Sequence, residues 1–172
     1  FLEDTPQCCC TYFSDVPSNV TIINDNDGCF NECDIASIND LIEINSFSYD
    51  SPLDVGVQTW ISNRLVGWVG NYSPGPNGIN EKITSLPLNI GNLTALSSLY
   101  FQAHDIEKLP ESFASMTSLE NLSISLNYLD SLPNIGNLTN LIYLDLGYNQ
   151  ITSLPKSIEN LENLEYLWIF NN

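Results

Sequence analysis

The apolar positions in the C-terminal half of the chain recur with a long, fixed period. Leu96-x-x-Leu99-x-Phe101, Leu119-x-x-Leu122-x-Ile124, Leu141-x-x-Leu144-x-Leu146 and Leu164-x-x-Leu167-x-Ile169 begin 23, 22 and 23 residues apart. A period of this size signals stacked repeat units. Within each phrase the last two apolar positions alternate with outward-facing ones, which predicts a short strand with one side turned to the core. Leu-Pro steps punctuate the units at Leu86-Pro87, Leu109-Pro110, Leu132-Pro133 and Leu154-Pro155. After each step, Ile90, Phe113, Ile135 and Ile158 are expected to line the far, convex side of the core. The third unit is one residue shorter there, a difference that an exposed loop absorbs. One unit cannot bury its own apolar edge, so neighbours must stack.

Three residues beyond the last apolar strand position stand Asn127, Asn149 and Asn172. A side-chain amide at that point can satisfy backbone groups exposed as the chain turns out of the strand, which predicts a buried hydrogen-bonded ladder. His104, the only histidine, holds the same place in the first unit and is read as a ladder substitute, not a catalytic group. Together these phrases resemble the leucine-rich repeat family, of the kind written LPxxIxNLxxLxxLxLxxNxI, over residues 83–172. The resemblance implies an α/β solenoid: a right-handed coil whose short parallel strands line a concave face.

Upstream, Asp34 can cap a helix whose apolar residues Ile35, Ile38, Leu41 and Ile42 follow helical spacing. The turn-rich stretch 45–52 ends it. Trp60-Ile61, then Leu65 to Gly70, then a loop over 73–78 lead into the first repeat. Trp60 and Trp68 are expected to be apolar lids on the open edge of that repeat. This order is similar to the N-terminal cap of plant-type and algal extracellular leucine-rich repeat proteins. The cysteine pair that usually brackets the Trp-x-Gly-Val phrase in that family is missing, so its disulfide is not carried over. Three segments follow: a Cys-rich stretch 1–33, a cap 34–82 and repeats 83–172.

Cys8, Cys9, Cys10, Cys29 and Cys33 all precede residue 34. Adjacent cysteines pair only under strain, so two of the triplet are expected to bond Cys29 and Cys33 as staples for a core-poor segment, with one cysteine over. A zinc site fits less well, because no second tight Cys pair and no nearby histidine complete it. Asn19, Asn71, Asn92, Asn121 and Asn137 begin Asn-x-Ser/Thr sequons, and Asn31-Glu32-Cys33 is a weaker sixth. Sequons and cysteines together point to a secreted or cell-surface setting, and an N-terminal Phe suits a processed chain and a partial one equally.

Composition narrows the partners. Four Lys and Arg against 21 Asp and Glu leave a net charge of −17, a field that repels phosphate backbones and anionic bilayers, so neither nucleic acid nor membrane insertion is expected. No apolar run approaches a membrane span. Asp25-Asn26-Asp27-Gly28 hints at a calcium loop, yet the EF-hand frame would put Ile23 in the first ligand position, and an Asx-rich turn is the default. His104-Asp105 lacks a serine placed to complete a triad. No catalytic residue, metal site or cofactor is assigned.

Binding remains. Outward strand positions place Ser98, Tyr100 and Gln102; Asn121, Ser123 and Ser125; Tyr143, Asp145 and Gly147; and Tyr166, Trp168 and Phe170 on the concave face. Tyr100, Tyr143, Asp145, Tyr148, Tyr166, Trp168 and Phe170 are the candidate contacts, since rigid aromatics supply contact area at little entropic cost. The register ends at Asn172 within the fourth unit, which leaves Leu167 and Ile169 to be covered by further chain or by a neighbour. The leading expectation is a non-catalytic extracellular module that recognises a protein, peptide or glycan. The alternative is a glycosylated subunit that binds copies of itself head to tail in a filament.

Overall fold

Leucines at matching positions of successive strands must be buried together, and that requirement aligns the strands into one sheet. The computed structural model describes residues 9–24, 28–73, 75 and 78–172. Cys8 and the turn residues Asp25, Asn26 and Asp27 lie outside the described residues. In chain order the strands are β1 (Cys10–Tyr12), β2 (Val20–Ile23), β3 (Cys29–Asn31), β4 (Val57–Ile61), β5 (Arg64–Val69), β6 (Ser98–Tyr100), β7 (Asn121–Ser123), β8 (Tyr143–Asp145) and β9 (Tyr166–Trp168). One α-helix, α1 (Glu32–Asn45), lies between β3 and β4. A seven-stranded sheet runs β2-β4-β5-β6-β7-β8-β9, parallel except for the β4–β5 hairpin. This is an α/β repeat fold.

The register keeps the leucines in one column: Leu99 pairs with Leu122, Leu122 with Leu144, and Leu144 with Leu167. Trp68 pairs with Leu99 and so extends the column into the hairpin. Both Trp60 and Trp68 are buried, and each indole N–H has a partner, Gln58 Oε1 at 3.0 Å and the Val55 carbonyl at 2.8 Å. The Cys-rich stretch is tied into the same sheet, since β2 pairs with β4. Beside it, β1 and β3 form an antiparallel pair bridged by Cys10–Cys29, with Cα atoms 5.2 Å apart. Cys33 is also disulfide-bonded, and Cys9 is exposed.

On the loop side, 3₁₀ turns at Leu88–Asn92, Glu111–Ser115 and Lys156–Asn160 each follow a proline in extended conformation. Pro fixes φ near −65° and has no N–H to leave unpaired at such a start. The shorter third unit has no 3₁₀ turn; there the Gly136 N–H donates to Asn134 Oδ1 at 3.2 Å. Successive loops nearly touch. A Cβ on Gly91 would lie 2.2 Å from the Ser112 carbonyl oxygen, so only glycine fits that contact.

The ladder forms as the register requires. Asn127 Oδ1 accepts from Ile106 N–H, Asn149 Oδ1 from Leu129 N–H and Asn172 Oδ1 from Ile151 N–H, at 3.0–3.1 Å. Each Nδ2 donates backward to the preceding unit, to the carbonyls of Phe101, Ile124 and Leu146. His104 does the same work with a ring: Nδ1 accepts from Ile83 N–H at 3.0 Å and Nε2 donates to the Gly70 carbonyl. Those partners require the Nε2–H tautomer of a neutral imidazole. Burial accordingly lowers its pKa to about 4 from 6.5, against the Gly70 hydrogen bond, which raises it. Immediately before each ladder residue, Ala103, Leu126, Tyr148 and Asn171 take positive φ of 55–63°, a region that disfavours L-residues.

One local expectation is corrected. Asn31, not Asp34, caps α1, its Oδ1 accepting from Cys33 and Asp34 N–H. Asp34 lies inside the first turn and is fully buried. It is gripped by Arg64 through Nε–Oδ2 at 2.8 Å and Nη2–Oδ1 at 2.9 Å, and it accepts from Leu65 N–H. A buried carboxylate needs such a bidentate cation, and the pair locks α1 to β5.

His104 yields a pH test. Because its folded pKa lies below the unfolded value, the unfolded chain takes the proton first as pH falls. The stabilisation is therefore complete above pH 6.5 and is lost as pH falls toward 4. Urea unfolding at pH 7.5 and pH 5 should show His104→Asn escaping about 2 kcal/mol of acid destabilisation that the parent suffers. His104→Leu should cost about 3 kcal/mol at pH 7.5, because two buried backbone groups lose partners, and only about 1 kcal/mol relative to the parent at pH 5, where the parent has lost its own share.

Candidate binding face

The pairing that aligns the leucines also aligns the residues on the opposite, solvent-facing side of the sheet. Asn121, Tyr143 and Tyr166 form one column behind Ser98; Ser123, Asp145 and Trp168 form a second behind Tyr100. Gln102, Ser125, Gly147 and Phe170 continue the strands in the same register.

A polar row crosses this face. Asn71 Oδ1 accepts from Gln102 N–H at 2.9 Å, Gln102 Nε2 donates to Ser123 Oγ at 2.6 Å, and Ser123 Oγ donates to Asp145 Oδ2 at 2.9 Å. Gly147 N–H closes the row on Asp145 Oδ1 at 3.0 Å. In consequence Ser123, Ser125 and Asp145 are buried, Asp145 at 7% exposure, instead of standing in solvent as their strand positions suggested. Neighbouring strands lie about 4.8 Å apart, so large rings on adjacent positions overhang short polar side chains.

Those rings form one patch. Tyr143 lies 6.4 Å from Tyr166 and 6.2 Å from Trp168, Trp168 lies 5.9 Å from Phe170, and Phe170 meets Tyr148 edge-on at 5.2 Å. Tyr148, Tyr166, Trp168 and Phe170 are each 46–54% exposed. Gly147 makes room for this packing: a Cβ there would come within 3.3 Å of both Asp145 Oδ1 and the Phe170 ring. The Tyr143 hydroxyl pKa is raised, by burial first and then by the charges of Asp145 and Tyr100. Tyr100 is half-buried among the polar residues of the row. Leu167 and Ile169, on the core side of β9, are 40% and 42% exposed.

The structure separates the sequons. Asn92 and Asn137 are exposed on the loop side. Asn19 uses its amide nitrogen twice, on the Leu53 and Gly56 carbonyls at 2.8 and 2.7 Å, and so has no free N–H to give up to a glycan. Asn71 belongs to the polar row, and Asn121 Nδ2 donates to Ser98 Oγ at 3.3 Å. Asn31 is occupied as the helix cap. Among the described residues no three His, Cys, Asp or Glu side chains gather as metal ligands, and no helix is long and apolar enough to cross a membrane. Sequence reasoning missed the roles of Asn71, Gln102 and Ser123 in the row; Gln102 reaches Ser123 diagonally, since Ser123 stands in register with Tyr100, a link that no repeat spacing announces.

The face is thus a parallel sheet of stacked short units, hydrogen-bonded and polar toward Asn71 and aromatic at β8 and β9. Residues 139–172 match the family described as Leucine Rich repeats (2 copies), and the same strand register runs back through Leu99. Among solved structures it is similar to a plant ice-binding protein, with 23% identity and a TM-score of 0.64 over 83% of this chain and 49% of that one. That likeness is one of fold, and this chain spans about half of that protein's length. A leucine-rich repeat protein of Leptospira interrogans is 28% identical over 70% of this chain and 38% of that one, with a TM-score of 0.46. No curated protein sequence matches the chain.

The three tryptophans divide sharply between core and face. Trp60 and Trp68 should be shielded from acrylamide, whereas Trp168 should carry the quenchable, red-shifted emission. Steady-state quenching of Trp168→Phe should therefore fall to the low Stern–Volmer slope of buried indoles.

Proposed function

We propose that this chain is a non-catalytic extracellular recognition module that binds a protein or peptide through the aromatic end of its concave face. In this reading the repeats form a right-handed solenoid, the sheet is its inner surface, and the β4–β5 hairpin with α1 is its N-terminal cap. The observation that carries the proposal is the contact network of Tyr143, Tyr148, Tyr166, Trp168 and Phe170. Rings in mutual contact on a hydrogen-bonded sheet are pre-ordered, so binding costs little side-chain entropy. Clustered half-exposed aromatics are also the residue types that dominate contact energies. His104 does not compete with this reading, since both of its ring nitrogens are occupied in the ladder.

Selection from a phage-displayed random peptide library tests the face directly. Peptides enriched on the parent should bind Trp168→Ala and Phe170→Ala at least about tenfold more weakly, with unchanged circular dichroism. Enriched peptides whose affinity is indifferent to both substitutions would overturn the reading.

An extracellular setting is supported by the Cys10–Cys29 bridge and by two exposed sequons in the same Gly-Asn-Leu-Thr phrase. Expressed through a eukaryotic secretory pathway, the chain should shift in mobility on endoglycosidase treatment. Asn92→Gln with Asn137→Gln should remove most of that shift, whereas Asn19→Gln should leave it unchanged.

A further inference from the structure

Three of the four cations are placed away from the aromatic face, and the fourth, Lys82, shares a cavity with Tyr148 at its rim but is engaged there. Arg64 is spent on Asp34. Lys82 bonds the Ala103 carbonyl and Asp105 and lies 4.5 Å over the Tyr72 ring. Lys156 opens a loop-side 3₁₀ turn, and Lys108 lies just before the Leu109-Pro110 step that leads into another. These four are all the Lys and Arg present. The face carries negative charge instead. Asp145 forms part of its floor, and Glu120 and Glu165 are exposed where the chain enters β7 and β9, immediately before Asn121 and Tyr166.

Asp145 is the unusual member. It is nearly buried, yet the groups that hydrogen-bond to it, Ser123 Oγ and Gly147 N–H, are neutral. Tyr143 precedes it by two residues on the same side of β8, Trp168 pairs with it across the sheet, and the Phe170 ring overlies Gly147 beside it. In a site poor in water, Coulomb interactions with a carboxylate are strong. The rings beside it can offer the negative part of their quadrupoles to an entering cation.

On the reading that this face binds a partner, we propose that the partner is a peptide or protein segment that inserts an arginine or lysine side chain among these rings, over Asp145. A guanidinium or ammonium gains from the carboxylate and from cation–π contact together. Each carboxylate oxygen has two lone pairs, so the existing hydrogen bonds need not break. The net charge of −17 steers cationic segments toward the chain and acidic ones away. A neutral sugar would use the rings and could donate a hydroxyl to the carboxylate, but would gain no charge–charge attraction.

The test uses the best peptide from the library selection and its neutral isostere, with citrulline for arginine or acetyl-lysine for lysine. Both are titrated calorimetrically against the parent, Asp145→Asn and Glu120→Gln/Glu165→Gln. Neutralising the peptide should weaken binding to the parent about tenfold. Asp145→Asn should weaken binding of the cationic peptide by a similar factor and abolish the preference over the isostere. Asn can still accept from Gly147 N–H, so the fold has a conservative substitute; if circular dichroism shows that it has misfolded, the peptide comparison on the parent decides alone. The surface pair should reduce the salt dependence and leave the preference in place. Selected peptides that need Trp168 but contain no basic residue, or an unchanged affinity for the isostere, would overturn the cationic partner while leaving recognition by this face intact. Binding only to neutral oligosaccharides on a glycan array, dependent on Trp168, would likewise overturn it. Peptide binding indifferent to Trp168→Ala would remove the recognition reading itself.

Discussion

Each repeat has to turn out of its strand, and the turn leaves backbone N–H and C=O groups pointing into a dry interior. An unpaired buried peptide group costs about 1–3 kcal/mol, so a stack of such turns would not hold without a partner for each. One side chain per unit supplies it, accepting from a backbone N–H beyond the preceding unit's turn and donating to that unit's strand end. Asn127, Asn149 and Asn172 do this with an amide, and His104 with an imidazole. Strand register, leucine column and loop spacing are all held in phase by that link. The imidazole shows that the requirement concerns the positions of one acceptor and one donor, not a residue type.

What was legible in the chain was what repeats locally. Leucine spacing carried the strands, the three-residue offset carried the ladder, and the Leu-Pro steps carried the start of the loop-side turns. What was not legible depends on pairs distant in sequence. Asn31 and Asp34 are both good capping residues, and the choice between them was made by Arg64 and Leu65, about 30 residues away. β2 entered the sheet by pairing with β4, a contact that no periodic phrase announces. Asp145 had the strand position of an exposed residue, but its exposure was decided by the sizes of residues on the neighbouring strand and by a glycine two positions along.

The face therefore mixes two materials. Its N-terminal part is a satisfied polar row, from Asn71 through Gln102 and Ser123, with little left to offer. Its C-terminal part is a group of rings at about half exposure around a carboxylate held by neutral hydrogen-bond donors. Rigidity comes from the row and contact area from the rings. The sequons divide along the same lines: those on the face have amides engaged in hydrogen bonds, and the two exposed ones lie behind it.

Tyr148 joins these halves through its backbone. It immediately precedes the ladder residue Asn149, and the turn that directs Asn149 inward forces Tyr148 into positive φ and throws its ring outward against Phe170. The device that keeps the interior in order thus also sets the direction of a side chain on the rim. Rim residues at this step can change in identity from unit to unit, as Ala103, Leu126 and Tyr148 do, without disturbing the stack. A chain built this way can alter what it touches by single substitutions while its architecture stays unaware of the change.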